Sequence, residues 1–160
     1  MKKFEDIYNT NFQNVLNYGY YFFKNPWDAE DLVQEVFVKA LKSDWQQVDD
    51  TKVRSYLLSI AHNLAIDKYR SLKRFKSYLN SFVYQDSTKI PDSAFLLHKQ
   101  IMKLPSSQRE IFILRHIQDL STEETAEILK VSVGTVKSQL NRAVQTIKNT
   151  LNNFDNQNKL

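Results

Sequence analysis

At 160 residues with 42% hydrophobic side chains, the chain can fill one medium core or two small ones, and it holds no apolar run of the roughly 18 residues needed to cross a bilayer. The absence of cysteine excludes a disulfide framework and a thiolate metal site and is compatible with a reducing, cytoplasmic setting; the opening MKKFEDIYNTNF puts acids and amides where a secretory signal needs an unbroken apolar core. A net charge of +4 is mild, so the distribution of charge, more than its sum, must point to any partner.

Two glycines and three prolines leave little punctuation for the tight turns of an all-β fold. The apolar spacing instead predicts helices over residues 4–24, 28–42, 53–76, 93–103, 106–117, 122–129 and 133–151. The expected fold class is therefore all-α, with two small helical domains, 1–76 and 93–154. Residues 77–92 lack a sustained period and contain Ile90-Pro91, which disfavours helix, so they read as a linker. The amide-rich end after Leu151 is expected to fray, with residues 155–160 as a tail.

In "NPWDAEDLVQEVFVKAL", Asp28 is placed to cap a helix after Pro26. Ala29, Leu32, Val36 and Ala40 then share one face; Asp31, Gln34, Glu35 and Val38 lie opposite. An acidic face with one exposed aliphatic suits docking to a basic partner, and it equally suits a solvated surface helix. In the following "SDWQQVDDTK", Trp45 can stack on a ligand or plug the core.

Residues 53 to 76 then carry Arg54, Lys68, Arg70, Lys73, Arg74 and Lys76 against the single acid Asp67. Leu57, Ala61, Leu64 and Leu72 share a face, with His62, Asn63, Arg70 and Lys73 projecting away from it. Such a stripe, interleaved with Tyr56 and Tyr69, can track a nucleic-acid backbone and stack on an unpaired base, or it can be a solvated basic face. His62 and Asp67 are five residues apart, a poor spacing for shared metal ligation on one helix, and no hydrolase motif surrounds His98 or His116. No metal, cofactor or small-molecule substrate is expected, and no enzymatic activity.

The C-terminal "LSTEETAEILKVSVGTVKSQLNRA" holds two amphipathic stretches. Ser121 and Glu124 form a capping-box pattern, Lys130-Val131-Ser132 the turn, and Ser132 the cap of a second helix. On that helix Val136, Leu140, Ala143 and Ile147 face one way. Gly134, Ser138, Asn141 and Gln145 face the other, with Lys137 and Arg142 on the flanks. Residues 133 to 150 contain three cations and no acid. A three-residue turn between helices lets the second enter a major groove while the first braces on phosphate; an ordinary helical hairpin is the plainer reading.

The segments "LSTEETAEIL" and "VSVGTVKSQLNRA", with Leu104-Pro105, Arg109 and Phe112 before them, resemble the promoter-binding region of the extracytoplasmic-function sigma factors of the sigma-70 family. "DAEDLVQEVFVKAL" is similar to the segment with which that family grips core RNA polymerase, and "YLLSIAHNLAIDKYR" to its segment for the promoter element near the start site and the melted strand. The resemblance implies polymerase-binding roles for Asp31, Leu32, Gln34, Glu35 and Phe37, with Leu32 and Phe37 equally suited to the core. It implies −10 contacts from Trp45, His62, Asn63, Arg70, Lys73 and Arg74, and −35 contacts from Gly134, Thr135, Lys137, Ser138, Asn141 and Arg142. Core RNA polymerase, promoter DNA and an anti-sigma factor are the partners so implied. A helix-turn-helix regulator that binds DNA without joining polymerase is the alternative. Three positions depart from the family pattern: Tyr56 replaces a tryptophan, Thr125 an apolar residue, and Lys130 the turn glycine, where a left-handed lysine costs of order 1 kcal/mol.

Overall fold

The computed structural model describes residues 2–76 and 92–159, without the side chains of 74–76 and 92–95. The linker reading of 77–91 and the side chain of Arg74 thus lie outside the described residues. The chain divides into two compact units, residues 1–86 and 87–160. Every described element is helical.

The first unit packs α1 (Phe4–Phe23), α2 (Pro26–Leu41) and α3 (Val53–Lys76) against one another. Along α1, Ile7, Asn11, Val15 and Tyr18 recur at three- and four-residue spacing and are buried. Asn11 is tolerated there because its side-chain amide donates to the Ile7 carbonyl at 2.9 Å, leaving that donor satisfied. Buried on the helices packed against α1 are Ala29, Leu32, Val33, Val36, Phe37 and Ala40 of α2 and Leu57, Leu58, Ala61 and Ala65 of α3. At Gly19 α1 and α2 approach closely: a Cβ added there would lie 3.1 Å from the Ala29 Cα.

The start of α2 differs from the expected one. Asn25, not Asp28, is the cap: its side-chain oxygen accepts from the amides of Trp27 at 2.9 Å and Asp28 at 3.4 Å. Pro26 fills the first helical position, where a missing N–H costs nothing and the fixed φ favours the helix. Between α2 and α3 the chain makes two 3₁₀ turns, Trp45–Gln47 and Asp50–Lys52. Lys2 holds this loop, donating to the Val48 carbonyl at 2.7 Å and pairing with Asp50 at 2.7 Å.

The second unit contains α4 (Asp92–Lys103), α5 (Ser106–Phe112), α6 (Thr122–Leu129) and α7 (Val133–Asn158). Arg109 ties α5 to the end of α4 by donating to the carbonyls of Met102 at 3.2 Å and Leu104 at 3.5 Å. The helix expected to run through residue 117 instead widens into a π turn over Ile113–Ile117. Its signature is the Gln118 amide donating to the Ile113 carbonyl at 2.9 Å, and Asp119 at φ 59° then reverses the chain. At the other end α7 continues past Leu151 to Asn158, so the residues expected to fray are helical. Neither glycine nor proline interrupts them, and extending a formed helix is far cheaper than nucleating one.

Candidate protein-docking and nucleic-acid interfaces

In α6 and α7 local chemistry sets the geometry. The Glu124 amide donates to Ser121 Oγ at 3.0 Å, and the Ser121 amide donates to Glu124 Oε2 at 2.9 Å, closing the capping box. Thr125 is fully buried, yet its hydroxyl donates to the Ser121 carbonyl at 2.8 Å. That bond meets the hydroxyl's need inside the core and accounts for a polar residue at an apolar position. At the far end Lys130 is left-handed, φ 56° and ψ 43°. The Val131 amide reaches the Ala126 carbonyl at 3.1 Å and the Lys130 amide that of Glu127 at 3.3 Å, the paired closure of a Schellman turn. Ser132 then caps α7, its Oγ accepting from the Thr135 amide at 3.0 Å.

This turn seats Val136 in a small core with Ile111 and Ala126, flanked by Leu129, Val133 and Leu140. Ala143 and Ile147 extend the same buried face. The polar side follows from that packing: Gly134, Thr135, Lys137, Ser138, Asn141 and Arg142 are all exposed. A Cβ added at Gly134 would meet nothing nearer than Ser132 Oγ at 3.8 Å. Its surface can therefore approach a ligand closely, and the amino end of α7 favours negative charge.

In the first unit the expected site residues separate into two groups. Asp31, Gln34 and Glu35 are exposed on α2, whereas Leu32 and Phe37 are buried. Leu32 packs in the three-helix core, and Phe37 meets the rings of Phe4 at 6.3 Å and Tyr8 at 4.7 Å. Of their two readings, contact or core, these residues take the core position and shape α2 from beneath. The outer stripe holds apolar residues that the sequence reading did not single out. Trp27 is 66% exposed and Leu41 55%, in line with Val38 at 52%. Trp27, Asp31, Gln34, Val38 and Leu41 alternate four- and three-residue steps, the spacing of a helix seam that meets another helix.

Lys68 of α3 lies at one end of that stripe, 3.3 Å from Asp31 and 3.8 Å from Asp28, with its ammonium 5.8 Å from the centre of the Phe23 ring. On the rest of α3, Asn63, Arg70 and Lys73 are exposed, and Tyr69 joins them. His62 is half-buried, its Nδ1 3.2 Å from the Tyr18 hydroxyl. Tyr56 is half-buried with its hydroxyl bonded to Ser43 Oγ. Trp45 takes the core position of its two readings in the free chain: it is 9% exposed, edge-on to Phe4 at 5.2 Å, and lines a small apolar recess with Ile7, Ala40 and Leu57. Nearby, the Thr51 amide and hydroxyl donate to Asp49 and hold its carboxyl below the ordinary range. Burial raises the Tyr21 phenol. Neither belongs to the two candidate faces. Among the described residues no cluster of His, Asp or Glu is arranged to hold a metal, and no helix is long and apolar enough to cross a membrane.

The two units also match known families. Residues 7–75 match the sigma-70 region 2 model and residues 94–147 the sigma-70 region 4 model. RNA polymerase sigma factor YlaC of Bacillus subtilis is 31% identical, the alignment covering 92% of this chain and 91% of that protein. The extracytoplasmic-function factor SigX of the same organism is 28% identical over 91% of this chain and 81% of its own length. Among solved structures, the sigma factor RpoE of Bartonella quintana, crystallised with the anti-sigma factor NepR, superposes with a TM-score of 0.83. That alignment covers 95% of this chain and 98% of the other at 22% identity, a likeness of fold.

Proposed function

Given that this chain belongs to the sigma-70 family and is an extracytoplasmic-function sigma factor of RNA polymerase, we propose that its α2 stripe docks on core polymerase while α3 and α7 engage separate promoter elements. The observation that carries the reading is the division of each helix into a buried side and a polar side. On α7, six positions matching the family's promoter-binding region are all exposed beside a capped turn. On α2, Asp31, Gln34 and Glu35 stand among exposed Trp27, Val38 and Leu41. An apolar seam rimmed with acid suits a helical partner surface bearing cations.

Binding, not bond-making chemistry, is the mechanism. Asn63, Arg70 and Lys73 track the backbone of the −10 element, and Lys137, Ser138, Asn141 and Arg142 read the −35 element in the major groove. Preferential capture of unstacked bases over the closed duplex shifts the equilibrium toward the open strand. The chain acts in the cytoplasm with polymerase, and an anti-sigma factor restrains it. Support for that partner comes from relatives of the same fold, among them RpoE with NepR and CnrH with the cytosolic domain of CnrY.

Run-off transcription with purified core polymerase on genomic fragments is the direct test: discrete transcripts appear only when this chain is added, and transcripts independent of it refute the function. Glu35→Lys is expected to abolish co-elution with core polymerase while leaving the thermal melt unchanged; undiminished association removes the docking assignment. Arg142→Ala is expected to weaken promoter binding by about 1–3 kcal/mol without loss of core binding.

A further inference from the structure

Lys130 occupies the turn between α6 and α7 in the left-handed region, at φ 56° and ψ 43°, a conformation that glycine adopts without penalty and lysine does not. Lys24, which closes α1 at φ 57°, is likewise left-handed but has a further interaction within the protein. The Lys130 side chain is exposed, and its ammonium makes no ion pair or hydrogen bond among the described residues. The backbone bonds of the turn, Lys130 to Glu127 and Val131 to Ala126, hold this conformation; among the described residues the lysine side chain adds nothing to them. A left-handed residue of this kind persists where the surrounding structure holds it, and such residues recur at binding sites.

The position suits one ligand. Lys130 stands two residues before the cap of α7, with exposed Ser132, Gly134, Thr135 and Lys137 following. A helix whose first turn enters the major groove has a phosphate strand on either side of that groove, within reach of an extended lysine at the preceding turn. We propose that Lys130 is a DNA-backbone contact of this sigma factor, a cation placed at the helix-turn-helix corner at the expense of local stability. The proposal rests on the reading of α6 and α7 as the −35-binding pair. A phosphate contact adds affinity and fixes register without reading sequence, so its effect is alike on all promoters.

Strain relief and charge removal predict opposite signs in one variant. With the full chain assembled on core polymerase, the probe is a duplex carrying the strongest run-off promoter, titrated from low to moderate potassium chloride. Lys130→Gly is expected to raise the melting temperature of the free chain by ~2–6 °C. The same variant binds the promoter roughly three- to tenfold more weakly, with a slope of log affinity against log salt shallower by about 0.9. Lys130→Arg keeps the affinity and the slope. If Lys130→Gly binds with unchanged affinity and slope while Arg142→Ala is weakened, the Lys130 contact is overturned and the −35 reading stands. If neither variant alters binding, both fall.

Discussion

The two units present their candidate surfaces by different means. In the second, all six proposed −35 positions are exposed, on the far side of α7 from Val136, Ala143 and Ile147 or on its flanks, and none is in the core. In the first, the residues that match the family's polymerase and −10 segments are divided between surface and interior. Asp31, Gln34, Glu35, Asn63, Arg70 and Lys73 are exposed, while Leu32, Phe37 and Trp45 are buried and His62 half so. A motif of recognised sequence thus mixes two causes of residue choice. Where a helix is braced on one side only, period separates them; where three helices and a loop close around one core, contact and packing residues alternate within the same string.

The largest break in this comparison comes from Trp45. As a core plug between Phe4 and Leu57, its replacement by Ala is expected to cost about 3–5 kcal/mol. Urea denaturation of the free chain measures it. A base-stacking Trp45 would leave stability unchanged and impair only promoter opening.

The glycines sharpen it next. Gly19→Ala brings a methyl to 3.1 Å from the Ala29 Cα, so α2 must give by a few tenths of an ångström; because the neighbour is backbone, a loss of about 1–3 kcal/mol is expected. Gly134→Ala makes only an ordinary contact, with Ser132 Oγ at 3.8 Å, and gains up to about 1 kcal/mol from helix propensity. In the same variant promoter binding is expected to weaken, because the added methyl stands between α7 and the groove. Paired thermal melts and promoter titrations check both signs. A destabilising Gly134→Ala, or one that binds promoter as before, removes the close-approach role.

What was legible in the sequence follows the range of the interactions. The boundaries of α6 and the start of α7 are written in Ser121, Glu124 and Ser132, whose bonds span three residues. The α2 start moved because Asn25-Pro26 outcompetes Asp28 as a cap, a signal present but misweighed. Trp27 and Leu41 were missed for the same reason: counted from Pro26, they complete the seam through Asp31, Gln34 and Val38. The burial of Trp45 and the bond from His62 to Tyr18 join residues 41 and 44 positions apart, and no periodicity within one helix contains them.

The smallest expected effect bears on whether the first unit keeps its two faces apart. Lys68 belongs by sequence to the basic stripe of α3, yet its ammonium lies on the acids of α2, 3.3 Å from Asp31. Asp31 is well exposed in this pair, so the attraction is screened by solvent, and Lys68→Gln is expected to cost only about 0.5–1 kcal/mol. That loss should shrink in high salt. Because the cation is already engaged with carboxylates, its removal should leave the salt slope of promoter binding unchanged. A slope shallower by about 0.9 would mean that Lys68 exchanges Asp31 for a phosphate when promoter binds. Docking and DNA engagement would then compete for the same acid, and the separation between the two faces of α2 and α3 would have to be given up.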